Sequence, residues 1–164
     1  MNTGVEISLR SADVADDAFL LTVYASTRAE EMALVAWTSE QKQSFVQMQF
    51  DAQRRYYLTH YPQAENYIVQ KDGRPIGRMI LDRSQRPILL MDIALLPAYR
   101  NEGLGTTLIE SLLEEADRMR RPVQLHVESF NRAMRLYKRL GFMQTGEVGI
   151  YLEMTRQPKV DVYV

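Results

Sequence analysis

The sequence predicts a mixed α/β fold, with one sheet of six to seven strands and about four helices packed on it. Three observations carry this. Ile88 to Leu95 is a nearly continuous apolar run, the pattern of a central strand covered on both faces. Gly103 to about Arg120 places Leu104, Leu108, Leu112 and Ala116 on one helical stripe, broadened by Ile109 and Leu113. Asp72-Gly73, between two alternating runs, is a two-residue hairpin signal, because both positions tolerate positive φ.

The remaining elements follow in chain order. Val5 to Arg10 alternates and reads as a strand. Asp13 to about Ser26 reads as a helix, with Phe19, Leu20 and Val23 at helical spacing. Thr38-Ser39-Glu40-Gln41 is a capping-box pattern. The helix it opens carries Phe45, Met48, Ala52 and Tyr56 on one face, and Pro62 closes the region. Asn66 to Lys71 and Pro75 to Asp82 are the arms of the hairpin, and Ser84 to Pro87 is a turn into the apolar strand. After the main helix, Val123 to Val127 is a short strand. Asn131 to Leu140 is a second amphipathic helix with Ala133, Leu136, Tyr137 and Leu140 together, and Gly141 stands where a left-handed C-terminal cap belongs. Phe142 to Glu147 and Ile150 to Arg156 close as a strand pair. The order is β-α-α-β-β-β-α-β-α-β-β.

Composition narrows the function. The chain has 164 residues, 46% hydrophobic and 25% charged, which suits one soluble domain over 1–157 with a short tail over 158–164. The net charge of −1 argues against a large nucleic-acid footprint. With no cysteine and two histidines, His60 and His126, thiolate nucleophiles, thiolate zinc sites and histidine-rich metal sites are excluded. No basic start followed by an apolar run is present, and no segment has the roughly 20 apolar residues of a membrane span. A cytoplasmic protein without a membrane or nucleic-acid partner is the expectation. The alternating tail Val160-Asp161-Val162-Tyr163-Val164 could pair across a homodimer or fray.

The chemistry concentrates in Arg100-Asn101-Glu102-Gly103-Leu104-Gly105-Thr106, between the apolar strand and the main helix. The two glycines allow close approach of a ligand to the backbone. The amides of Gly103, Leu104, Gly105 and Thr106 lie at a helix N-terminus without partners in the helix, which suits a phosphate or pyrophosphate. Arg100 adds a charge able to grip a phosphate in two places. The same glycines could equally serve only a tight strand-to-helix turn. The spacing satisfies neither the P-loop nor the dinucleotide fingerprint.

A second segment, Asn131 to Phe142, ends in Leu136-Tyr137-Lys138-Arg139-Leu140-Gly141-Phe142. The pairing of Arg-x-x-Gly-x-Gly after Leu95-Leu96-Pro97-Ala98-Tyr99 with this Tyr-x-x-Leu-Gly-Phe helix resembles the GNAT (GCN-five-related N-acetyltransferase) superfamily. The order of elements resembles that fold over nearly the whole chain. The resemblance implies a mostly antiparallel sheet with a splayed central parallel pair, Ile88–Leu95 and Val123–Val127, and acetyl-CoA lying in the opening. It implies sheet-like bonds from the pantetheine arm to Ile93 and Leu95, the pyrophosphate on Arg100–Thr106, Asn131 on the arm, and Tyr137 near the thioester sulfur as general acid. No metal is implied. A phenol of pKa about 10 can protonate a thiolate whose conjugate acid has pKa about 8.5, and an N–H near Leu95 can serve the oxyanion.

Tyr137 could also be a packed core tyrosine, and Asn131 could simply cap its helix. Some relatives carry a glutamate base at the position of Leu89, where this chain has no carboxylate; a water chain to bulk solvent could serve in its place, as could another side chain. His126 is a possible base with a suitable reference pKa of about 6.5. Glu128 is another candidate, and Asp92 is a third if a bulge turns it to the right face. The acceptor site is expected among Glu30, Glu31, Trp37, Phe45 and Tyr56. The reading is an N-acetyltransferase moving acetyl from acetyl-CoA to a primary amine in a ternary complex, with a small-molecule acceptor favoured. A protein N-terminal or lysine acetyltransferase and a non-catalytic acyl-CoA-binding module are the alternatives.

Overall fold

The computed structural model describes residues 4–160. The tail residues 161–164, where most of the alternating Val160–Val164 pattern falls, lie outside that range. The chain forms β1 (Ile7–Ser11), α1 (Asp17–Ala33), α2 (Ser39–His60), β2 (Glu65–Lys71), β3 (Arg74–Asp82), β4 (Ile88–Leu95), α3 (Leu104–Met119), β5 (Val123–Glu128), α4 (Met134–Arg139), β6 (Met143–Val148) and β7 (Tyr151–Arg156). Short 3-10 turns at Val14–Asp16 and Pro97–Tyr99 precede α1 and follow β4. The seven strands make one sheet in the order β1-β2-β3-β4-β5-β7-β6. All neighbours run antiparallel except β4 and β5.

Local chemistry explains the turns and caps. Asp72 and Gly73 have φ of 50° and 80°, the pair of positive values that a tight hairpin matched to sheet twist needs. Thr38 caps α2: its hydroxyl accepts from the Gln41 amide, and the Gln41 side chain accepts from the Thr38 amide. At the far end of the sheet, the buried Arg156 of β7 holds Asp117 of α3 through both carboxylate oxygens. The same carboxylate takes the Lys159 amide and ties down the chain after β7.

The main core lies between the sheet and α3 with α4. Leu104, Leu108, Ile109, Leu112, Leu113 and Ala116 of α3 pack on Met79, Leu81, Ile88, Leu90, Val123 and Leu125. The opposite sheet face is covered by α1 and α2, which share a smaller cluster of Tyr24, Val46 and Phe50. That arrangement buries β3 on both faces from Ile76 to Asp82.

Three details differ from the sequence expectation. α1 continues to Ala33, past the expected end near Ser26. α4 is shorter, because residues before Met134 form turns rather than helix. α2 buries Val46 and Phe50, while Met48 and Tyr56 of the expected stripe are 56% and 53% exposed. This helix is weakly amphipathic, with two overlapping apolar stripes, and contact with α1 selects between them. Phe50→Ala is therefore expected to cost about 3–5 kcal/mol in a denaturant melt. Met48→Ala should stay within about 0.5 kcal/mol.

Candidate active site

The site begins where β4 and β5 part. Their parallel pairing is confined to Ile88↔Val123 and Leu89↔Gln124. Beyond Leu89 each strand stays paired on its other side, β4 with β3 and β5 with β7. A gap therefore opens between residues 90–95 and 125–128. The Leu96 amide bonds the Ile76 carbonyl on the β3 side. Strand alternation then turns the N–H and C=O of Leu95, and those of Ile93, toward the gap. This leaves an unpaired strand edge inside the molecule, able to bond an extended amide-bearing chain.

The turn after β4 adds an anion site. Asn101 and Gly103 adopt φ of 63° and 78°, and Gly103 is the left-handed N-cap of α3. The first helical bonds of α3 reach back to Gly103, as in Thr107 N–H to Gly103 C=O at 3.1 Å. The Leu104, Gly105 and Thr106 amides thus have no intrahelical acceptor, and no side chain caps them. A Cβ at Gly103 or Gly105 would meet no atom within 4 Å. The protein's own packing does not require glycine at 105, so the missing side chain leaves the amides open to a ligand.

These parts line one cleft of about 740 Å³. It includes Ile93, Leu95, Arg100, Asn101, Gly103, Leu104, Gly105, Thr106, Asn131 and Tyr137. Three of the cofactor and base candidates, Glu102, His126 and Asp92, lie outside this lining, and Asp92 pairs with Arg78 of β3. Glu102 pairs with Lys71 of β2 at 3.2 Å. His126 is exposed on β5, and its Nε2 stands 3.7 Å from Glu153 Oε2 on β7. Glu128, two residues on, does line the cleft.

Individual side chains also have local tasks. Arg100 donates from Nε to the Leu95 carbonyl at 2.9 Å and from Nη2 to Ser26 Oγ at 3.3 Å. It bridges the end of β4 to α1. Asn131 caps the turn into α4, its Oδ1 accepting from the Ala133 amide at 2.8 Å. Tyr137 is 8% exposed, with its ring edge-on to Phe142 at 5.7 Å. Burial first, and then the negative charge of Asp92, push its phenol above the ordinary tyrosine range, so it stays protonated.

Ser26, Thr27 and Glu30 of α1 also line the cleft, as does the exposed Phe130. Glu30 is one of the expected acceptor candidates, whereas Ser26 and Thr27 were hidden by the early end expected for that helix. Ala25, Arg28 and Met32 at helical spacing are the signal that would have extended it. Of the other acceptor candidates, Glu31 pairs with Arg28, Trp37 packs edge-on to Phe45, and Tyr56 stacks on His60. Among the described residues, no group of His, Cys, Asp and Glu gathers as a metal site, and no helix is long and apolar enough to cross a membrane.

A sheet parted between parallel strands, with glycine-opened helix amides at the mouth, offers one cleft for an extended chain that ends in a phosphate. The acetyltransferase (GNAT) family model matches residues 30–142, and the chain belongs to that family. A provisionally named ribosomal protein bS18 alanine N-acetyltransferase of Bacillus subtilis is 33% identical over 98 residues, 56% of this chain and 61% of that protein. An uncharacterized N-acetyltransferase of Methanocaldococcus jannaschii is 31% identical over 100 residues, 56% of this chain and 44% of its own. The chain thus spans about half the length of these curated relatives. Among solved structures, the PaiA N-acetyltransferase of Thermoplasma acidophilum with coenzyme A superposes at TM-score 0.70 with 17% identity, covering 93% of this chain and 99% of that one. A Vibrio cholerae spermidine N-acetyltransferase with CoA and spermine gives 0.64 and 20%, covering 92% and 95%. These two likenesses concern the fold.

Gly105→Leu should leave the melting temperature of the free protein within a few degrees, since the added side chain enters open space. It should abolish the stabilisation that coenzyme A gives wild type, as read by a thermal shift.

Proposed function

We propose that the protein is an acetyl-CoA-dependent N-acetyltransferase that moves acetyl to a primary amine by direct attack in a ternary complex. The observation that carries this reading is the unpaired β4 edge at Ile93 and Leu95, continuous with the bare amides of Leu104 to Thr106. An extended pantetheine arm fits the first and a pyrophosphate fits the second. Arg100 stands between them and can turn from the Leu95 carbonyl to a phosphate. Asn131 keeps its side-chain amide N–H group for the arm while its oxygen caps α4.

The amine attacks as the free base, and its lone pair forms the N–C bond. The carbonyl oxygen takes negative charge that a gap-facing amide near Leu95 can stabilise. The C–S bond then breaks, the leaving thiolate takes the Tyr137 proton, the nitrogen releases its extra proton to water, and the phenolate regains one from water. Holding amine and thioester side by side supplies much of the remaining acceleration. Glu30 and Glu128 line the cleft and favour a cationic acceptor. A small-molecule amine is the first reading of that acceptor. The Bacillus subtilis relative favours a second, a protein N-terminus.

Two experiments test this. Saturating acetyl-CoA should stabilise wild type by about 2.7 kcal/mol at a hundred times its Kd, and Arg100→Ala should reduce the shift. No wild-type shift would refute the reading. Turnover of a panel of alkyl amines and polyamines, against peptides with free N-termini, separates the acceptor classes. Saturable turnover of peptides alone would sink the small-molecule version.

Tyr137→Phe should lower kcat about a hundredfold. Its folded pKa is raised, so the acid form persists through the ordinary tyrosine range near 10. The kcat profile should therefore show no alkaline loss of this acid below about pH 10. Such a loss in wild type that vanishes in Tyr137→Phe would contradict the assignment.

A further inference from the structure

Contact with α1 uses one stripe of α2 and leaves the other uncovered. Val46 and Phe50 turn inward, and Met48 stands half a turn away from both. Phe45, Met48, Ala52 and Tyr56 therefore run down the outer side of the helix. Met48 and Tyr56 are each more than half exposed, and Trp37, just before the helix, is 44% exposed. Trp37, Phe45 and Tyr56 were expected at the acceptor site, yet none of them lines the cleft. An apolar helix face of this length at the surface marks a contact with another molecule.

The face is already ordered. Trp37 packs edge-on to Phe45 at 5.2 Å, and Tyr56 stacks on His60 at 4.1 Å. Aromatic side chains fixed in this way lose little freedom on contact. Two shallow hollows lie along the helix. One is lined by Trp37, Glu40, Gln41, Ser44 and Phe45, and the other by Gln43, Ser44, Gln47, Met48, Asp51 and Arg55. The small Ser44 is common to both, so a side chain of a facing helix can enter there.

The charges beside the apolar stripe fit a second copy of the same helix. Glu40 lies about two turns before Met48 and Arg55 about two turns after it, on one side of the stripe. Neither forms an ion pair among the described residues. When two copies of α2 lie antiparallel across a two-fold axis at Met48, Glu40 of each faces Arg55 of the other. Phe45 of each then faces Ala52 of the other, and Trp37 reaches the Tyr56–His60 end. Asp51 faces Ser44, so no two like charges oppose. A parallel pair would instead set Glu40 on Glu40 and Arg55 on Arg55. With Glu40 and Asp51 against Arg55, the face offers an anionic lipid surface no net attraction.

We propose that the outer face of α2 is a two-fold interface through which two copies of this chain pair, with the helices antiparallel. This does not rest on the acetyltransferase reading. The 22-residue helix spans about 33 Å. Its face alone buries less than about 1,200 Å² in total, the small end of specific interfaces. The dimer is therefore reversible, with a dissociation constant in the micromolar range. The cleft stays open in it, since none of the lining residues belongs to α2. Each copy keeps its own cleft.

Sedimentation equilibrium from about 1 to about 300 μM chain tests it. Wild type should pass from one chain to two across that range. The emission of Trp37, the chain's one tryptophan, should move to shorter wavelength with it. Met48→Glu should weaken pairing at least about tenfold, with the melting temperature of the dilute protein unchanged. Glu40→Arg and Arg55→Glu should each weaken pairing about fivefold, and the two together should return it to within about threefold of wild type. Wild type that stays a single chain throughout overturns the proposal, and a different molecule then covers this face. A dimer that Met48→Glu leaves intact overturns it too, since another surface then holds the copies. Losses in the single charge variants without recovery in the double variant overturn the antiparallel register and the proposal with it.

Discussion

The parting of β4 from β5 is the constraint on which the rest depends. Both strands are fully committed on their outer sides, β4 to β3 and β5 to β7. The ladder between them has only two residue pairs, at their starts. An unpaired edge inside a sheet is normally a cost, because buried backbone groups need partners. Here the cost is offset by the surrounding packing. α3 clamps β3, β4 and β5 from one face, and Arg156 fastens Asp117 of α3 to β7. The gap is held open by the same core that stabilises the fold, so the two cannot be altered independently.

Every feature of the cleft is a consequence of that opening. The carbonyl of Leu95 is free to take Arg100 because no strand bonds it. α3 starts directly beyond the end of β4, so its unpaired amides face the same space. Tyr137 reaches the gap from α4, which Gly141 stops with a φ of 96° before the chain returns as β6. On the other face, the extra residue Met91 in the register of β4 against β3 sets Asp92 on the side of α1 and α2, outside the lining of the cleft. The cleft joins two sheet faces that a continuous sheet would separate.

Much of this was legible in the sequence, for reasons of short-range physics. The Asp72-Gly73 turn, the Thr38 capping box, the α3 stripe and the span of β4 are each set by a few neighbouring residues. What was not legible depends on distant partners. The buried face of α2 was decided by α1, since the helix alone offers two stripes. The bulge that places Asp92 has no mark in Leu89-Leu90-Met91-Asp92, and only the register against β3 reveals it. Glu102 and His126 belonged to the expected site, yet Lys71 and Glu153, far along the chain, stand beside them instead.

The most direct measurement is amide hydrogen exchange with and without coenzyme A. The account predicts slowed exchange at Ile93 and Leu95 on the open edge of β4 and at Leu104, Gly105 and Thr106 at the start of α3. The Leu96 amide, already bonded to Ile76, should change little. Protection confined to α2, or none at the β4 edge despite binding, would contradict the central claim that the parted strands hold the ligand.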